Sequence, residues 1–517
     1  MQAAATLGAL PGPVRQALRV PAPPGSALPE AVRQWCTRLV DAPPIRHRLL
    51  ASCLRNPLWT EWPVWCAAVC RRMGYATTLV YSTTVLRRIY GARAVHHRFL
   101  GPVQAIPDIE LFDLDTAPTS PEQADRFRAA AEDWAPVALA YDLHIEEENI
   151  LHERKRHRRA LDAYVQTTTQ RGAALAGLLD RRGNEFSRFL LYSGLIGESP
   201  LLLRAALAAQ LTTVCVENWA WRPGHMIYNV NAPALDYNIQ GWMAHLGPWD
   251  AAREKEIQAY LKFQDGDDFG NQTWLNNFYN VQKARLSSEL PPRLQHFLAG
   301  DSPIFLLTPN VVGDSSTLRR ETIFTGMRSW LRETIAWFRD RPNLKLIIRA
   351  HPAERWIGMK CGVFMAQVAH EFSRGLPNVF IIDSAEKTNT FSLLPFARAG
   401  LVWLSSVGVD MVVRGVPTLC AASPKYAGLG IVTEPPSQAA YFAQLEQWVQ
   451  HQERPRPEQI LAGKRYMHLV FKGFSFEATD PQFNPECSRL PDGNLPADAN
   501  RFYRILAGLD APPDRPA

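Results

Sequence analysis

Two short segments in the second half of the chain combine side chains that can bind a phosphate group. The first is Arg349-Ala350-His351-Pro352, where an apolar run meets a proline that ends the predicted strand. A histidine donates hydrogen bonds to a phosphate oxygen, and an arginine offers two parallel donors to the same group. A structural histidine in a strand–loop turn, beside a surface arginine, is the alternative. The pattern therefore predicts either a phosphate contact or a turn at this point.

The second segment is Ser405-Ser406-Val407-Gly408, which follows the apolar run GLVWL. Backbone N–H groups at a helix start and two hydroxyls can bind an anion, and Gly408 lets it approach the backbone. Asp410 stands in the first turn of the same predicted helix, where its carboxylate can accept from ribose hydroxyls. Helix capping by serine and dipole compensation by Asp410 are the ordinary structural alternatives.

Strands and helices that alternate from residue 303 onwards must position these segments. The predicted strands are PIFLLTPN, LKLIIRA, NVFIID, GLVWL and VPTLC, and the predicted helices between and after them are ETIFTGMRSWLRETIAWFRDR, FMAQVAHEFSRG, NTFSLLPFARA, VDMVVRG and residues 438–451. Such βα repeats build an open parallel sheet that binds ligands at the carboxyl ends of its strands. The second half is therefore predicted to be a nucleotide-binding α/β domain.

A similar pattern occurs earlier in the chain. FLLYSG, the helix SPLLLRAALAAQL with Ser199 as its N-cap, and TTVCVEN form a βαβ unit that ends on Glu217. Residues 118–182 are predicted to form long polar helices, residues 219–290 loops and helices, and ANRFYRILAGL a last helix. The fold class is therefore predicted to be α/β, with two Rossmann-like domains and an α-rich N-terminal extension. The predicted boundaries are 1–296, 297–475 and a Pro-rich tail at 476–517, with Pro291-Pro292 as linker.

Length, charge and cysteine pattern limit the class of protein. The 517 residues suit two domains, and the net charge of +6 does not by itself indicate a nucleic-acid partner. The basic run Arg154-Lys155-Arg156-His157-Arg158-Arg159 follows Glu146-Glu147-Glu148, so a solvated helix with internal ion pairs is predicted. The eight cysteines form no CxxC, and neither a signal peptide nor a membrane-spanning run is predicted. We expect a cytoplasmic protein that can associate peripherally with the anionic inner membrane.

Two acidic motifs compete with this interpretation. Asp113-Leu114-Asp115 matches a DxD motif that binds a metal and a diphosphate in some enzymes, but the nucleotide-binding repeats that should precede it are missing. Asp265-Gly266-Asp267-Asp268 lacks the rest of a calcium-binding loop. The sequence also contains no GxGxxG, GxxxxGK[ST] or GxSxG motif. No metal site and no cofactor are predicted.

The segments together resemble the capsule polysaccharide biosynthesis family, which includes bacterial transferases of 3-deoxy-manno-octulosonic acid (Kdo) with the glycosyltransferase-B fold. RAHPAE, SSVGVD with RGVP, KYAGLG and LLTPNVVGDSS carry the resemblance, which covers about 300–470, extends weakly to 188–245 and does not reach 1–180. The resemblance implies that Arg349, His351, Ser405 and Ser406 bind the donor phosphate and that Lys425 and Tyr426 line the donor pocket. Asp410 stands at the implied ribose contact, where relatives commonly have a glutamate, whose side chain is one CH₂ longer.

The implied activity is metal-independent transfer of a sugar, with inversion, from a nucleotide-activated donor such as CMP-Kdo or another NDP-sugar. The acceptor would be a surface polysaccharide or a glycolipid. Glu217 would be the general base, and Asp314 is the second candidate. The alternative for Glu217 is a charged strand-end residue with a structural partner. His351 would stabilise the leaving phosphate. Transfer of an alditol phosphate from a CDP-alditol, as in teichoic-acid synthesis, and non-catalytic binding of a nucleotide sugar or glycolipid are the alternatives.

Overall fold

The computed structural model describes residues 42–54, 58–218, 225–237, 239–265, 289–356, 362–470, 475–477 and 497–506, with residues 28, 29, 32, 36 and 39. The chain divides into two compact units, each assembled from separate stretches. Unit 1 is Met1–Asp142, Glu153–Tyr237 and Phe474–Pro513, and unit 2 is Leu143–His152, Asn238–Gly473 and Asp514–Ala517. The main division thus lies at 237/238, whereas the boundary predicted from Pro291-Pro292 lies at 296/297.

Unit 1 contains a seven-stranded sheet in the order β12-β6-β5-β4-β1-β2-β3. The strands are β1 (His47–Cys53), β2 (Tyr75–Tyr81), β3 (Ile109–Asp113), β4 (Phe186–Tyr192), β5 (Thr213–Asn218), β6 (His225–Val230) and β12 (Ser475–Glu477). The strands from β5 to β3 pair in parallel, and β6 pairs antiparallel with both β5 and β12. The carboxyl ends of the parallel strands therefore share one edge.

Helices cover both faces of this sheet. They are α1 (Leu58–Arg72), α2 (Thr83–Tyr90), α3 (Gly101–Gln104) with a π-turn before it, α4 (Pro121–Leu143), α6 (Arg154–Arg182), α7 (Ser199–Ala208) and α17 (Ala497–Leu506), with the short α5 (Glu147–His152) of unit 2 between α4 and α6. The predicted last helix is confirmed as α17, which packs Phe502 on Trp62 and Tyr503 on Trp65. Aliphatic and aromatic side chains form one buried cluster on each face.

Four strands of this sheet, β1, β3, β6 and β12, lie where no strand was predicted. The region before residue 118 contributes β1 and β3 besides β2, which the β-rich run MGYATTLVYST predicts from the sequence. β3 is half-buried along its whole length, as expected for an edge strand, so its sequence shows little alternation. β6 lies in the 219–290 segment, for which loops and helices were predicted, and it forms a hairpin with β5.

Unit 2 contains a five-stranded, fully parallel sheet in the order β11-β10-β7-β8-β9. The strands are β7 (Ile304–Thr308), β8 (Lys345–Arg349), β9 (Val379–Ile382), β10 (Ala397–Val402) and β11 (Thr418–Cys420). The chain runs outward from β7 to β9 and then returns to the other side of β7. The topological switch point therefore lies between β7 and β10, where doubly wound sheets bind ligands.

The unit 2 helices are α5, α8 (Ile239–His245), α9 (Ala251–Asp265), α10 (Pro292–Leu298), α11 (Met327–Arg339), α12 (Ala353–Trp356), α13 (Met365–Phe372), α14 (Val407–Val413), α15 (Gln438–Gln450) and α16 (Pro457–His468). The helix predicted for NTFSLLPFARA is wrong. Thr390–Phe396 is a 3-10 helix that contains Pro395, and Ala397 already begins β10. The N-cap predicted at Ser199 is also wrong, since Glu198 occupies that position and Ser199 opens α7.

Among the helices that the structure describes, none combines the length and the apolar character needed to cross a membrane.

Candidate active site

His351 follows β8 at the carboxyl edge of the unit 2 sheet, next to the switch point. Its Nδ1 accepts a hydrogen bond of 3.1 Å from the backbone N–H of Ala353. Burial lowers the pKa of His351 to about 4, although the Asp314 carboxylate opposes this effect. The imidazole is therefore neutral near pH 7, with its proton on Nε2. A fixed Nε2–H is a suitable donor to a phosphate oxygen.

Arg349 has a different environment from the one predicted. Its side chain is 2 % exposed, and Nη1 donates to the Ala350 and Asp383 carbonyls at 2.9 and 2.8 Å. Nη2 donates to the Glu386 carbonyl at 3.2 Å, and burial lowers the pKa of the guanidinium to about 10. These bonds hold the loop after β9. Arg349 thus supports the edge of the sheet, and its donors face backbone carbonyls instead of the predicted phosphate.

The loop that carries the two serines lies across the switch point. Leu404 N donates to Asn310 Oδ1 at 3.2 Å, which joins the chain after β10 to the chain after β7. Asn310 was not singled out from the sequence, since one asparagine after a strand carries no distinctive signal. Ser406 is the N-cap of α14 but makes no side-chain capping bond. α14 has seven residues, so the serine hydroxyls and His351, and not a helix dipole, are the relevant donors.

Tyr426 holds the backbone of Ser405 in place by a hydrogen bond. Tyr426 is 1 % exposed, and its hydroxyl donates to the Ser405 carbonyl at 2.7 Å. A Cβ on Gly408 would lie 2.8 Å from the same hydroxyl, so this glycine makes room for the tyrosine and not for a ligand. Tyr426 therefore positions the serine loop from inside the unit, whereas Lys425 on the preceding turn is partly exposed. The lining role predicted for Tyr426 does not fit its burial.

Asp410 also lies inside the unit. It is 2 % exposed, and its Oδ1 lies 3.5 Å from Nη1 of Arg414. Burial raises the pKa of Asp410 to about 6, against the opposing effects of Arg414 and of a hydrogen bond from Gln264. Arg414 also binds Gln264 Oε1 at 2.9 Å and Asp265 Oδ1 at 3.1 Å. Asp410 thus anchors α14 to α9, and a ribose contact would require it to leave this network.

Asp314 lies on the loop after β7 and is half-buried. It caps the single 3-10 turn Ser315–Thr317, with its Oδ2 accepting from Ser316 Oγ at 2.6 Å and its carbonyl accepting from Thr317 Oγ1 at 2.8 Å. Its carboxylate favours a higher pKa for His351, against the larger effect of burial. A carboxylate and a neutral imidazole therefore stand at adjacent strand ends of one sheet.

Glu217, the first candidate for the general base, lies near the end of β5 in unit 1. It is 8 % exposed, and its Oε2 accepts from Ser193 Oγ at 2.8 Å. Ser193 and Gly194 both adopt positive φ, and a Cβ on Gly194 would lie 2.9 Å from Cys215 Sγ. The YSG turn is thus tightly packed against β5. The structure places Glu217 at the predicted sheet edge, with a structural hydrogen-bond partner.

Unit 1 also contains a buried ion network that the sequence did not reveal. Arg171 of α6 is 5 % exposed and binds Asp115 Oδ1 at 2.9 Å, Glu198 Oε1 at 3.0 Å and Ser82 Oγ at 2.7 Å. The pKa of Asp115 is lowered, because Arg171 and hydrogen bonds from Ser82 and Thr84 outweigh burial. The network joins the ends of β2, β3 and β4 to a helix.

These contacts also explain the DxD motif. Asp113 accepts from Thr83 N at 3.1 Å and from Thr83 Oγ1 at 2.6 Å, so both acidic residues fix the start of α2. Within the part of the chain that the structure describes, His, Cys, Asp and Glu side chains form no group of three that could hold a metal ion. Of the second acidic motif, residues 266–268 lie outside the described residues.

Comparison with known proteins supports the sequence interpretation of unit 2. The model of the family described as "Capsule polysaccharide biosynthesis protein" matches residues 282–465. This match covers His351, Ser405 and Ser406, and it confirms the resemblance to that family for this part of the chain. The fold prediction is also confirmed: both units are α/β, with sheets dominated by parallel strands and a helical region in the N-terminal part. No curated protein matches the chain.

Solved structures show only a distant likeness. KpsC of Thermosulfurimonas dismutans, a beta Kdo 2,4 transferase, is 15% identical with a TM-score of 0.33, over 54% of this chain and 79% of that one. A beta Kdo 2,7 transferase, also KpsC of this organism, is 13% identical with a TM-score of 0.33, over 65% and 89%. A putative UDP-N-acetylglucosamine 2-epimerase from Listeria monocytogenes is 14% identical with a TM-score of 0.28, over 82% and 94%.

Proposed function

We propose that the protein is a glycosyltransferase that moves a sugar from a nucleotide-activated donor to a polysaccharide or glycolipid acceptor in capsule-type synthesis. The family match of residues 282–465 supports the class of process. The observation that carries the reaction type is the neutral His351, whose Nδ1 is occupied by Ala353 N–H and whose Nε2–H remains as donor. It stands near the switch point of a parallel sheet, where nucleotides bind.

In the proposed reaction, an acceptor hydroxyl oxygen forms a bond to the anomeric carbon of the donor sugar. The bond between that carbon and the nucleotide phosphate oxygen breaks, and its electron pair stays on the phosphate. His351 Nε2–H and the Ser405 and Ser406 hydroxyls stabilise this charge by hydrogen bonds. The proton of the acceptor hydroxyl passes to a carboxylate. Direct displacement of this kind inverts the configuration at the anomeric carbon.

We assign the base to Asp314. Asp314 follows β7, the neighbour of the strand β8 that ends before His351, and its carboxylate favours a higher pKa for His351. Asp314 is also less buried than Glu217. The proposed donors are protein side chains, so transfer should need no metal ion. Addition of EDTA is expected to change the rate by less than about twofold, since a metal-dependent phosphate site would lose several kcal/mol of stabilisation.

A thermal-shift comparison of CMP, CDP, UDP and GDP tests the donor site. A nucleotide at about 100 times its Kd adds roughly 2.7 kcal/mol to stability, which gives a measurable rise in melting temperature. We expect at least one nucleotide to stabilise the wild type and to lose this effect in His351→Ala. If none of the four shifts the wild type, or if the same shift persists in His351→Ala, the proposed donor site is wrong.

Product analysis tests the reaction itself. A phosphate-free glycosidic linkage together with released nucleotide supports sugar transfer. A product that retains the phosphate would instead identify phosphoryl transfer from a CDP-alditol. Binding of a nucleotide sugar without turnover over a panel of acceptors would identify a binding protein.

A further inference from the structure

A cavity of about 860 Å³ opens in unit 1, at the carboxyl edge of the sheet above β2 and β3. α2, α4 and α6 form its walls, and the buried network of Arg171, Asp115 and Glu198 contributes to its floor. The volume falls within the range of pockets that hold small ligands, and the carboxyl edge of a parallel sheet is where α/β units bind them. No residue that lines this cavity belongs to the proposed donor site of unit 2.

Ion pairs and hydrogen bonds hold the floor together, and its two carboxylates outnumber its one arginine. Arg171 is shared between Asp115 at 2.9 Å and Glu198 at 3.0 Å, and Thr84 N donates to Asp115 Oδ2 at 2.8 Å. A pre-organised floor of this kind holds a ligand without a large loss of side-chain entropy.

The cations of the cavity lie on its walls. Arg154 and Arg158 line it from the first turns of α6, Arg88 from α2 and Arg128 from α4. Arg154 and Arg158 stand at the positive end of the 29-residue helix α6, where the N-cap residue Glu153 pairs with Arg156 at 2.7 Å. Cations in that position are unfavourable unless an anion accompanies them. Asp162 lies 3.7 Å from Arg158, but both side chains are largely exposed, so this pair is weak.

The remaining lining is rich in groups that bind hydroxyls. Tyr164, Gln166 and Thr167 of α6 and Thr84 of α2 contribute hydroxyl and amide groups, and Glu132 of α4 contributes a carboxylate. Sugar hydroxyls both donate and accept hydrogen bonds, so they suit a mixture of carboxylates, amides and hydroxyls. From this combination we propose that the unit 1 cavity binds an acidic saccharide, with its anionic group at Arg154 and Arg158 and its hydroxyls at the α6 wall.

Binding of an acidic saccharide in this cavity does not depend on the proposed reaction. That this saccharide is the acceptor does rest on the proposed function. The anionic group can be a sugar carboxylate or a phosphate on a sugar, since arginine binds both as a bidentate partner. Binding to unit 1 is measured without a nucleotide, and nucleotide binding is measured without a saccharide, so the two proposals can fail separately.

Isothermal titration calorimetry of the full chain with trigalacturonate, a trisaccharide with three carboxylates, tests the site. Maltotriose is the neutral control of equal length, and glucose 1-phosphate tests the phosphate source. The Arg154→Ala/Arg158→Ala double variant removes two arginines that line the cavity. Lys155→Ala/Arg159→Ala is the matched control, because it removes the same charge from the same helix at positions outside the lining.

We expect trigalacturonate to bind the wild type more tightly than maltotriose, and its Kd to rise by about tenfold or more in the Arg154/Arg158 variant. The Lys155/Arg159 control should change the Kd by less than about twofold, as distant exposed charges do. Tighter binding of glucose 1-phosphate, with the same variant pattern, would support the site with phosphate as the anion. Equal losses in both double variants, or no preference for acidic ligands, would overturn the proposal.

Discussion

At the scale of single residues, the hydrogen bond from Ala353 N–H to Nδ1 of His351 determines the chemistry of the imidazole. With Nδ1 an acceptor, the proton of the neutral ring resides on Nε2. Protonation of the ring would remove this acceptor, and burial already lowers the pKa to about 4. His351 is thus held as a neutral donor over the physiological pH range, which suits stabilisation of a leaving phosphate.

Replacement of His351 by alanine should abolish transfer while the protein stays folded. Loss of one pre-organised donor to a developing charge lowers kcat by about 10²-fold or more. Rates with a nucleotide-sugar donor and melting curves measure the two effects. His370→Ala is the matched control, since His370 is exposed on α13 and should keep wild-type activity. Full activity in His351→Ala would remove this residue from the proposed site.

The choice of base is tested by two variants that preserve side-chain shape, Asp314→Asn and Glu217→Gln. Asp314→Asn keeps the capping geometry at Ser315–Thr317 but removes the proton acceptor, so we expect kcat to fall by about 10²- to 10⁴-fold. Glu217→Gln can still accept from Ser193 and should lower kcat by less than about tenfold. The reverse ranking in single-turnover rates would assign the base to Glu217 of unit 1.

Residue types in the sequence indicated which positions are special but not which way they face. Ser406 makes no side-chain capping bond and His351 accepts one bond at Nδ1, whereas Arg349, Asp410 and Tyr426 are buried against protein partners. An arginine at a strand end suits a phosphate and a ring of backbone carbonyls equally well. Burial of this kind depends on the loop after β9, which is distant in the sequence, so local spacing could not decide between them.

At the scale of elements, the start of α11 shows how one carboxylate fixes a helix. Glu146, which precedes α5, accepts hydrogen bonds from the backbone N–H groups of Met327 and Arg328. A Cβ on residue 326 would lie 2.5 Å from Glu146 Oε1, so Gly326 makes room for this carboxylate. Glu146 therefore caps a helix 181 residues further along the chain.

Glu146 should also make the stability of unit 2 depend on pH. Burial, with smaller contributions from Glu148 and Glu321, raises its pKa from 4.5 to about 7, although the two N–H groups oppose this. The folded state then binds the proton more tightly than the unfolded state, so stability is highest below pH 4.5 and falls as pH rises to 7. We expect this contribution to be on the order of 3 kcal/mol.

The measurement is the difference in unfolding free energy between the wild type and Glu146→Gln from about pH 4.5 to about pH 7.5, which spans the titration of this carboxyl group. The wild type should lose stability relative to the variant over this window, since glutamine has no proton to release. Glu147→Gln is the control in the same segment, and it should follow the wild type within about 0.5 kcal/mol because its ion pair with Arg319 is partly exposed. A pH-independent difference would show that Glu146 does not titrate in this window.

Elements with a strong apolar period were predictable, and those with weak or mixed signals were not. The fully buried strand β7, the largely buried strand β10 and the amphipathic helix α11 follow from their own sequences. The segment NTFSLLPFARA has helical spacing, but Pro395 and the pairing of Ala397 with Ile304 convert it into a 3-10 turn and a strand. The weakly patterned β3 and β6 depend on neighbouring strands, which a local period does not record.

At the scale of the whole molecule, each unit is assembled from stretches that are far apart in the sequence. The segment Leu143–His152 belongs to unit 2 although the chain on both sides of it belongs to unit 1, and β12 closes the sheet of unit 1 from beyond residue 470. A Pro-Pro pair suggests one linker, but composition cannot reveal that a short segment such as Leu143–His152 belongs to the other unit. The two-domain architecture was therefore predictable from alternating βα patterns, whereas the course of the chain through it was not.

Hydrogen exchange of the whole chain should show two ligands protecting two different sets of amides. A nucleotide that binds as proposed should slow exchange at residues 350–354 and 404–408, which belong to unit 2. Trigalacturonate should instead slow exchange at residues 82–88 and 164–171 of unit 1. Ligand binding adds its free energy to the stability of the folded site. Where exchange requires unfolding of that site, a ligand at about 100 times its Kd should therefore lower the exchange rates of the protected amides by roughly two orders of magnitude.

The variants of the two sites separate these patterns, because each removes contacts from one unit and leaves the other unit intact. His351→Ala should lose the protection by the nucleotide and keep the protection by trigalacturonate. Arg154→Ala/Arg158→Ala should do the opposite, since both arginines line the cavity of unit 1. Protection of the same amides by both ligands would show that the chain has one binding site where two are proposed.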